Sequence, residues 1–78
     1  MNSNELIAER VRRGKTRRQM AGLIGVDYDA YRKKEKGITK FTPDQIVAVA
    51  KDLELSADLI NVIFFDNKLP IGRQKKYS

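Results

Sequence analysis

The sequence predicts an all-α fold, a compact bundle of five short helices with a basic C-terminal tail. Apolar residues recur at helical spacing, most clearly at Ile46, Val49, Ala50 and Leu53, which stand at i, i+3, i+4 and i+7. Each predicted helix also follows a residue that favours the N-cap position. These five residues are Asn2, Thr16, Asp27, Thr42 and Ser56. Glycines stand where three of the helices are expected to end, at Gly14, Gly25 and Gly37.

Helix 1 is predicted to begin at Asn2 or Ser3 and to run to Arg13. Glu5, three residues after Asn2, resembles the second member of a capping box. The expected apolar face of this helix comprises Leu6, Ile7, Val11 and the stem of Arg10. Arg10 is then the only charge on that face.

Residues 16–37 are predicted to form two short helices joined by a tight turn. Thr16 and Gln19 can form a capping box for the first helix. Gly25 stands where a left-handed C′ residue is expected, and Asp27 can cap the second helix, residues 28–36. Two short helices with a glycine turn are the helix-turn-helix unit, whose second helix can lie in a DNA major groove.

Helix 4 is predicted over residues 43–52, behind a capping box of Thr42 and Gln45 with proline at the first helical position. Helix 5 is predicted from residue 57 to about residue 65. This helix has more apolar residues than one of its faces can bury in so small a domain. This surplus predicts either burial by the chain's own tail or a dimer surface.

Residues 1–66 are predicted to be one domain, and residues 67–78 an extended basic tail. Leu69, Pro70 and Ile71 suggest a strap on the domain. An alternative pairs residues 62–65 with 68–71 as a hairpin, in which Pro70 permits only an edge strand. The tail ends in the basic residues Arg73, Lys75 and Lys76.

Positive charge is concentrated in one part of the chain. Residues 10–40 hold 11 Lys and Arg against 3 acidic residues, a net charge of +8, whereas the rest of the chain carries −2. This distribution is typical of a protein that binds a polyanion, although a solvated basic surface would produce it too.

Composition argues against catalysis. The chain has no cysteine and no histidine, which removes disulfides, thiolates and the commonest general base. We therefore expect no enzyme, metal site or cofactor, and no small-molecule ligand is evident. No apolar run approaches the ~20 residues of a membrane span, and the N-terminus lacks a signal pattern. We expect a cytoplasmic protein without membrane partners.

The central segment resembles the helix-turn-helix of the phage repressor and Cro family, the Xre type. The matching positions are Thr16, Ala21, Gly25, Val26, Tyr31 and Glu35-Lys36-Gly37, and the likeness continues through Ala50, Leu53, Leu55 and Leu59. It covers roughly residues 5–65. Three positions depart from the family pattern: Lys34 replaces an apolar residue, Arg17 replaces a frequent Gln, and Gly22 lies inside the first helix.

The resemblance implies a lambda-repressor-like bundle that reads DNA with helix 3. The residues expected to contact bases are Tyr28, Asp29, Arg32 and Lys33. The residues expected to contact phosphates are Lys15, Arg17, Arg18, Lys36 and Lys40. An Arg10–Glu35 bridge is expected to position helix 3. The expected dimer interface comprises Phe41, Val62, Phe64 and Phe65.

These expectations describe a homodimeric, sequence-specific regulator that binds double-stranded DNA at a near-palindromic operator. It would be a repressor or Cro-like protein in a bacterial cell or phage-infected host. Two alternatives stay open. One is a protein-interaction module, such as an antitoxin or polymerase-binding factor, that uses Val62, Phe64 and Phe65. The other is a nonspecific nucleic-acid binder, including one for RNA, that uses charge alone.

Overall fold

A computed structural model describes residues 1–68, and this part of the chain forms five α-helices. They are α1 Ser3–Arg12, α2 Arg17–Ile24, α3 Tyr28–Glu35, α4 Pro43–Asp52 and α5 Ala57–Phe64. The predicted all-α class and the order of the five helices are confirmed, with differences of about one residue at helix ends. None of the helices within residues 1–68 is long and apolar enough to cross a membrane.

All five predicted N-cap side chains accept a hydrogen bond from the backbone amide three residues later. At Thr16 and Thr42 the bond is reciprocated, since the amides of these residues donate to the side chains of Gln19 and Gln45 at 2.8 and 3.0 Å. Such a cap typically contributes ~1 kcal/mol. Because each cap bond joins residues only three positions apart, the local sequence determines where each helix begins.

The turn between α2 and α3 depends on the backbone of Gly25. Its φ of 75° lies in the left-handed region, which favours glycine. This conformation lets the amide of Val26 donate to the Ala21 carbonyl at 3.0 Å and closes the end of α2. Gly22, by contrast, has open space where a Cβ would stand, so packing does not require a glycine there.

One hydrophobic core joins the helices. It comprises Leu6, Met20, Ala21, Tyr31, Phe41, Val49, Leu53 and Ile63. Helix α2 packs against α3 and α4, while α1 packs against α5 and α3. The ring of Phe41 contacts Tyr31 and Phe64 edge to face, with centroid distances of 6.1 and 5.4 Å. These rings connect α3 to α5 through the loop between α3 and α4.

The predicted apolar face of α1 is wrong at Val11, which is 61% exposed. The buried residues of this helix are Leu6, Glu9 and Arg10. Val11 follows Leu6 by five residues, which rotates it about 140° away from the core. Arg10 is therefore not the only charge on the inner face, because Glu9 is also buried and pairs with Arg12.

The hairpin alternative is wrong for residues 62–64, because they belong to α5. The helix closes where the amide of Asn67 donates to the Asn61 carbonyl at 2.9 Å, with Asp66 and Asn67 both at positive φ. The predicted strap at residues 69–71 and the rest of the basic tail lie outside the described residues.

Candidate nucleic-acid interface

Helix α3 has an inward and an outward side. Tyr31 and Glu35 are fully buried, and together they define the inward side. The four predicted base-contacting residues lie elsewhere on the helix, in its first two turns: Tyr28, Asp29, Arg32 and Lys33. Arg32 is half-buried and the other three are exposed. The structure thus brings all four onto one accessible surface.

The buried carboxylate of Glu35 holds α3 in place. Its Oε2 accepts from Arg10 Nε at 2.7 Å and from the Tyr31 hydroxyl at 2.9 Å, and its Oε1 accepts from Arg17 Nε at 2.7 Å. The predicted pair of Arg10 and Glu35 is in direct contact. Because Arg10 belongs to α1 and Arg17 to α2, a single carboxylate fixes the orientation of α3 against both helices. Every buried side-chain nitrogen and oxygen within residues 1–68 has a hydrogen-bond partner.

Arg17 makes a contact that the sequence did not indicate, to the buried carboxylate of Glu35. It is among the residues predicted to contact phosphates, and its Nε donates inward to Glu35 Oε1. The hydrogen bond to Glu35 is the largest cause of a raised pKa at Arg17, and Tyr28 adds a smaller effect in the same direction. Arg17 therefore binds the buried carboxylate from the first position of α2. A residue at the first position of α2 gave no sequence signal for this contact.

The ring of Tyr28 is supported from α2. The guanidinium of Arg18 lies over it, with Cζ 5.5 Å from the ring centroid. This is a cation–π distance. Tyr28 is the first residue of α3 and is 40% exposed.

Asp29 lies beside the basic residues of α3. Its Oδ1 accepts from Arg32 Nε at 3.1 Å and from Arg32 Nη2 at 2.7 Å, and Lys33 Nζ is 3.5 Å from Oδ2. The hydrogen bond from Arg32 is the main reason that the pKa of Asp29 lies below its ordinary value. Asp29 is thus ionised and already engaged with two cations.

The remaining predicted phosphate contacts differ in their availability. Arg18, Lys36 and Lys40 are exposed. Lys15 is half-buried, and its ammonium lies 3.6 Å from the Asp52 carboxylate at the end of α4. The exposed cations come from α2, from the end of α3 and from the loop that follows it.

A family model described as Helix-turn-helix matches residues 6–60 of this sequence. The chain belongs to the helix-turn-helix family. Comparison with curated proteins and with solved structures finds no match. The family confirms the predicted resemblance to Xre-type proteins, and its members are DNA-binding regulators.

In this helix-turn-helix domain, the departure from the family pattern at Lys34 has a structural explanation. Its ammonium donates to the Lys40 carbonyl at 2.7 Å and lies 5.9 Å from the centroid of the Phe41 ring. The stem lies along the domain while the charge reaches the loop, as long cationic side chains often do. Lys34 thereby ties α3 to the loop that carries Lys40. Lys34 stands out in the sequence as an unusual cation, but its partner, the Lys40 carbonyl, is evident only in the structure.

Three of the four predicted dimer residues of the helix-turn-helix domain line one groove, and the fourth, Val62, does not. Phe41 is only 8% exposed and packs in the core, and it lines this groove from there. Val62 lines a separate cleft beside the amino-terminal segment. Phe64 and Phe65 line the same groove, which is apolar, has a volume of about 700 Å³ and lies between α4 and α5. Other apolar residues of this groove are Met1, Pro43, Ile46, Val47, Ala50 and Ile60.

The helix-turn-helix domain is expected to lose stability as the pH rises above about 10, the ordinary pKa of tyrosine. Burial, reinforced by Glu35, raises the pKa of Tyr31 well above that value. Above pH ~10 the unfolded chain therefore releases a proton that the folded chain retains, which favours unfolding. Melting temperatures of wild type and Tyr31→Phe, measured from about pH 8 to about pH 11, test this. The variant should lose less stability over that range, and parallel curves would contradict the assignment.

Proposed function

We propose that the protein is a sequence-specific regulator of transcription that binds double-stranded DNA with α3 in the major groove. The observation that carries this proposal is the division of α3 into two sides. Its inward side is held by Glu35, which is bonded to Arg10 and Arg17 of two other helices. Its outward side presents polar and aromatic side chains from the first two turns. A reading helix needs such a rigid support and such an N-terminal surface.

Phosphate contacts would set the register of the domain on DNA. The exposed side chains of Arg18, Lys36 and Lys40 are best placed for this role. Lys15 and the outer guanidinium nitrogens of Arg17 would add to them, since only Nε of Arg17 is bonded to Glu35. These charges would provide the salt-sensitive share of the affinity, while the outward residues of α3 would select the sequence.

The active form would be a homodimer. Two copies related by a two-fold axis place their α3 helices about one DNA turn apart, ~34 Å, and so match a near-palindromic operator. The apolar groove between α4 and α5 supports this proposal, because it contains Phe64, Phe65 and the half-exposed Val47. Bound near a promoter in a bacterial cell or phage-infected host, the dimer would act as a repressor or Cro-like protein that excludes polymerase.

Selection from a pool of random duplex DNA tests the proposal. The selected duplex is then titrated against a scrambled duplex at near-physiological salt. We expect an inverted repeat that binds at least ~10³-fold more tightly than the scrambled sequence. Equal, strongly salt-dependent binding of both duplexes would indicate a nonspecific nucleic-acid binder. Weak binding of every duplex would instead favour the protein-interaction module.

A further inference from the structure

In the free protein, the carboxylate of Asp29 already contacts Arg32 and Lys33. Both oxygens face cations of the same helix, with the two shortest contacts made to Arg32. An acidic residue in the first turn of a reading helix can accept a hydrogen bond from cytosine N4. In this chain, such a contact would have to compete with the ion pair that Asp29 already makes.

The contact with Asp29 leaves a defined edge of Arg32 available. An arginine has five N–H donors in a planar fork. Asp29 takes the Nε hydrogen and one Nη2 hydrogen, since both nitrogens bond to its Oδ1. The remaining hydrogens include a parallel pair on Nη1 and Nη2, at the far end of the fork. Two such donors match the O6 and N7 acceptors of guanine in the major groove.

We propose that Asp29 is a positioning residue that orients Arg32 to recognise a guanine. This inference rests on the proposed function, since it needs α3 in the major groove. On the free protein Asp29 is exposed and Arg32 is half-buried at the surface, so the pair adds little to stability. Against DNA, water is excluded and the same pair strengthens, so the orientation of the guanidinium is fixed where it matters.

Lys33 is less suited to the same task. Its ammonium is 3.5 Å from Asp29, farther than either nitrogen of Arg32, and it is a point charge rather than a fork. For the same reason, a lysine placed at position 32 cannot reproduce the planar pair of donors that Asp29 orients on Arg32. We therefore expect that a positive charge alone at position 32 will not preserve the preference for guanine.

The test measures base preference at every position of the selected operator. Each base pair is substituted in turn, and competition binding is measured for wild type, Asp29→Asn and Arg32→Lys. Wild type should lose roughly 5- to 150-fold in affinity when the guanine is replaced. Both variants should lose most of that preference at the same base pair. Their melting temperatures should stay close to that of wild type, which separates positioning from a structural role.

Asp44→Asn is the matched control. Asp44 is exposed, and it occupies the second position of α4 as Asp29 does in α3. The change removes the same charge and keeps the same shape. It should strengthen binding to all duplexes alike and leave the guanine preference intact.

The outcomes separate the two proposals. If Asp29→Asn keeps the guanine preference, or if it and Arg32→Lys alter different base pairs, Asp29 does not position Arg32 and the inference is overturned. In the second case Asp29 contacts a base of its own. If wild type shows no preferred sequence at any position, the proposed function itself fails, and the role of Asp29 fails with it.

Discussion

Glu35→Ala is expected to destabilise the protein by about 3–5 kcal/mol, the cost of breaking a buried ion pair by removing one partner. Arg10 is buried and would keep its charge without a carboxylate, while Arg17 and Tyr31 would lose a hydrogen-bond acceptor. A small domain has only ~5–15 kcal/mol of stability, so the variant would be close to unfolding. Urea denaturation followed by circular dichroism measures the loss.

Glu54→Ala is the control for this prediction. Glu54 is also paired with an arginine, Arg13, at 3.3 Å, but its side chain is 76% exposed. The same substitution there should cost only ~0–1 kcal/mol. DNA affinity of the Glu35 variant should fall together with its stability, because α3 loses the bonds of Glu35 to Arg10 of α1 and Arg17 of α2. If Glu35→Ala unfolds at the same urea concentration as wild type, the carboxylate of Glu35 does not hold α3 against α1 and α2.

Val47→Glu is expected to prevent dimer formation and to lower affinity for the inverted repeat by at least about 100-fold. Val47 lines the apolar groove and is 52% exposed, so a glutamate can be accommodated in the monomer. In a dimer interface the same carboxylate would be buried without a partner. Without the dimer, the two half-sites are no longer bound as one unit, which removes an avidity gain of ~10²–10⁴. Light scattering and titration of whole and half operators measure the two effects.

Val11→Glu provides the matched control, since Val11 is a similarly exposed valine on α1 and does not line the groove. It should form dimers and bind the inverted repeat as wild type does. Half-site affinity should be the same for both variants. If Val47→Glu forms dimers with undiminished affinity, the groove is not the interface between copies.

The helix boundaries could be predicted because their signals are local. Thr16 and Thr42 need only a glutamine three residues later to complete a capping box, and both boxes form. Gly25 takes the left-handed conformation that its place after an apolar helix indicates. Each of these features involves residues within one or two helical turns, so the order of residues is sufficient to identify it.

Sequence patterns failed where the outcome depends on the rotation of a helix or on a distant partner. Val11 is exposed and Glu9 is buried because the packing of α1 against α3 and α5 sets the rotation of that helix. Phe41 is largely buried because the rings of Tyr31 in α3 and Phe64 in α5 pack against it. Neither result follows from the spacing of residues along the chain.

By itself, the sequence determined five capped helices, the glycine turn and a basic central segment that together indicate a helix-turn-helix domain. Only the tertiary structure decided which partners the charged side chains of that segment contact. Arg17 is separated from Glu35 by 18 residues, yet the two are in contact because α2 and α3 pack together. The physical reason is that a buried carboxylate must accept hydrogen bonds from donors on the helices that surround it. Those neighbours exist only once the chain has folded.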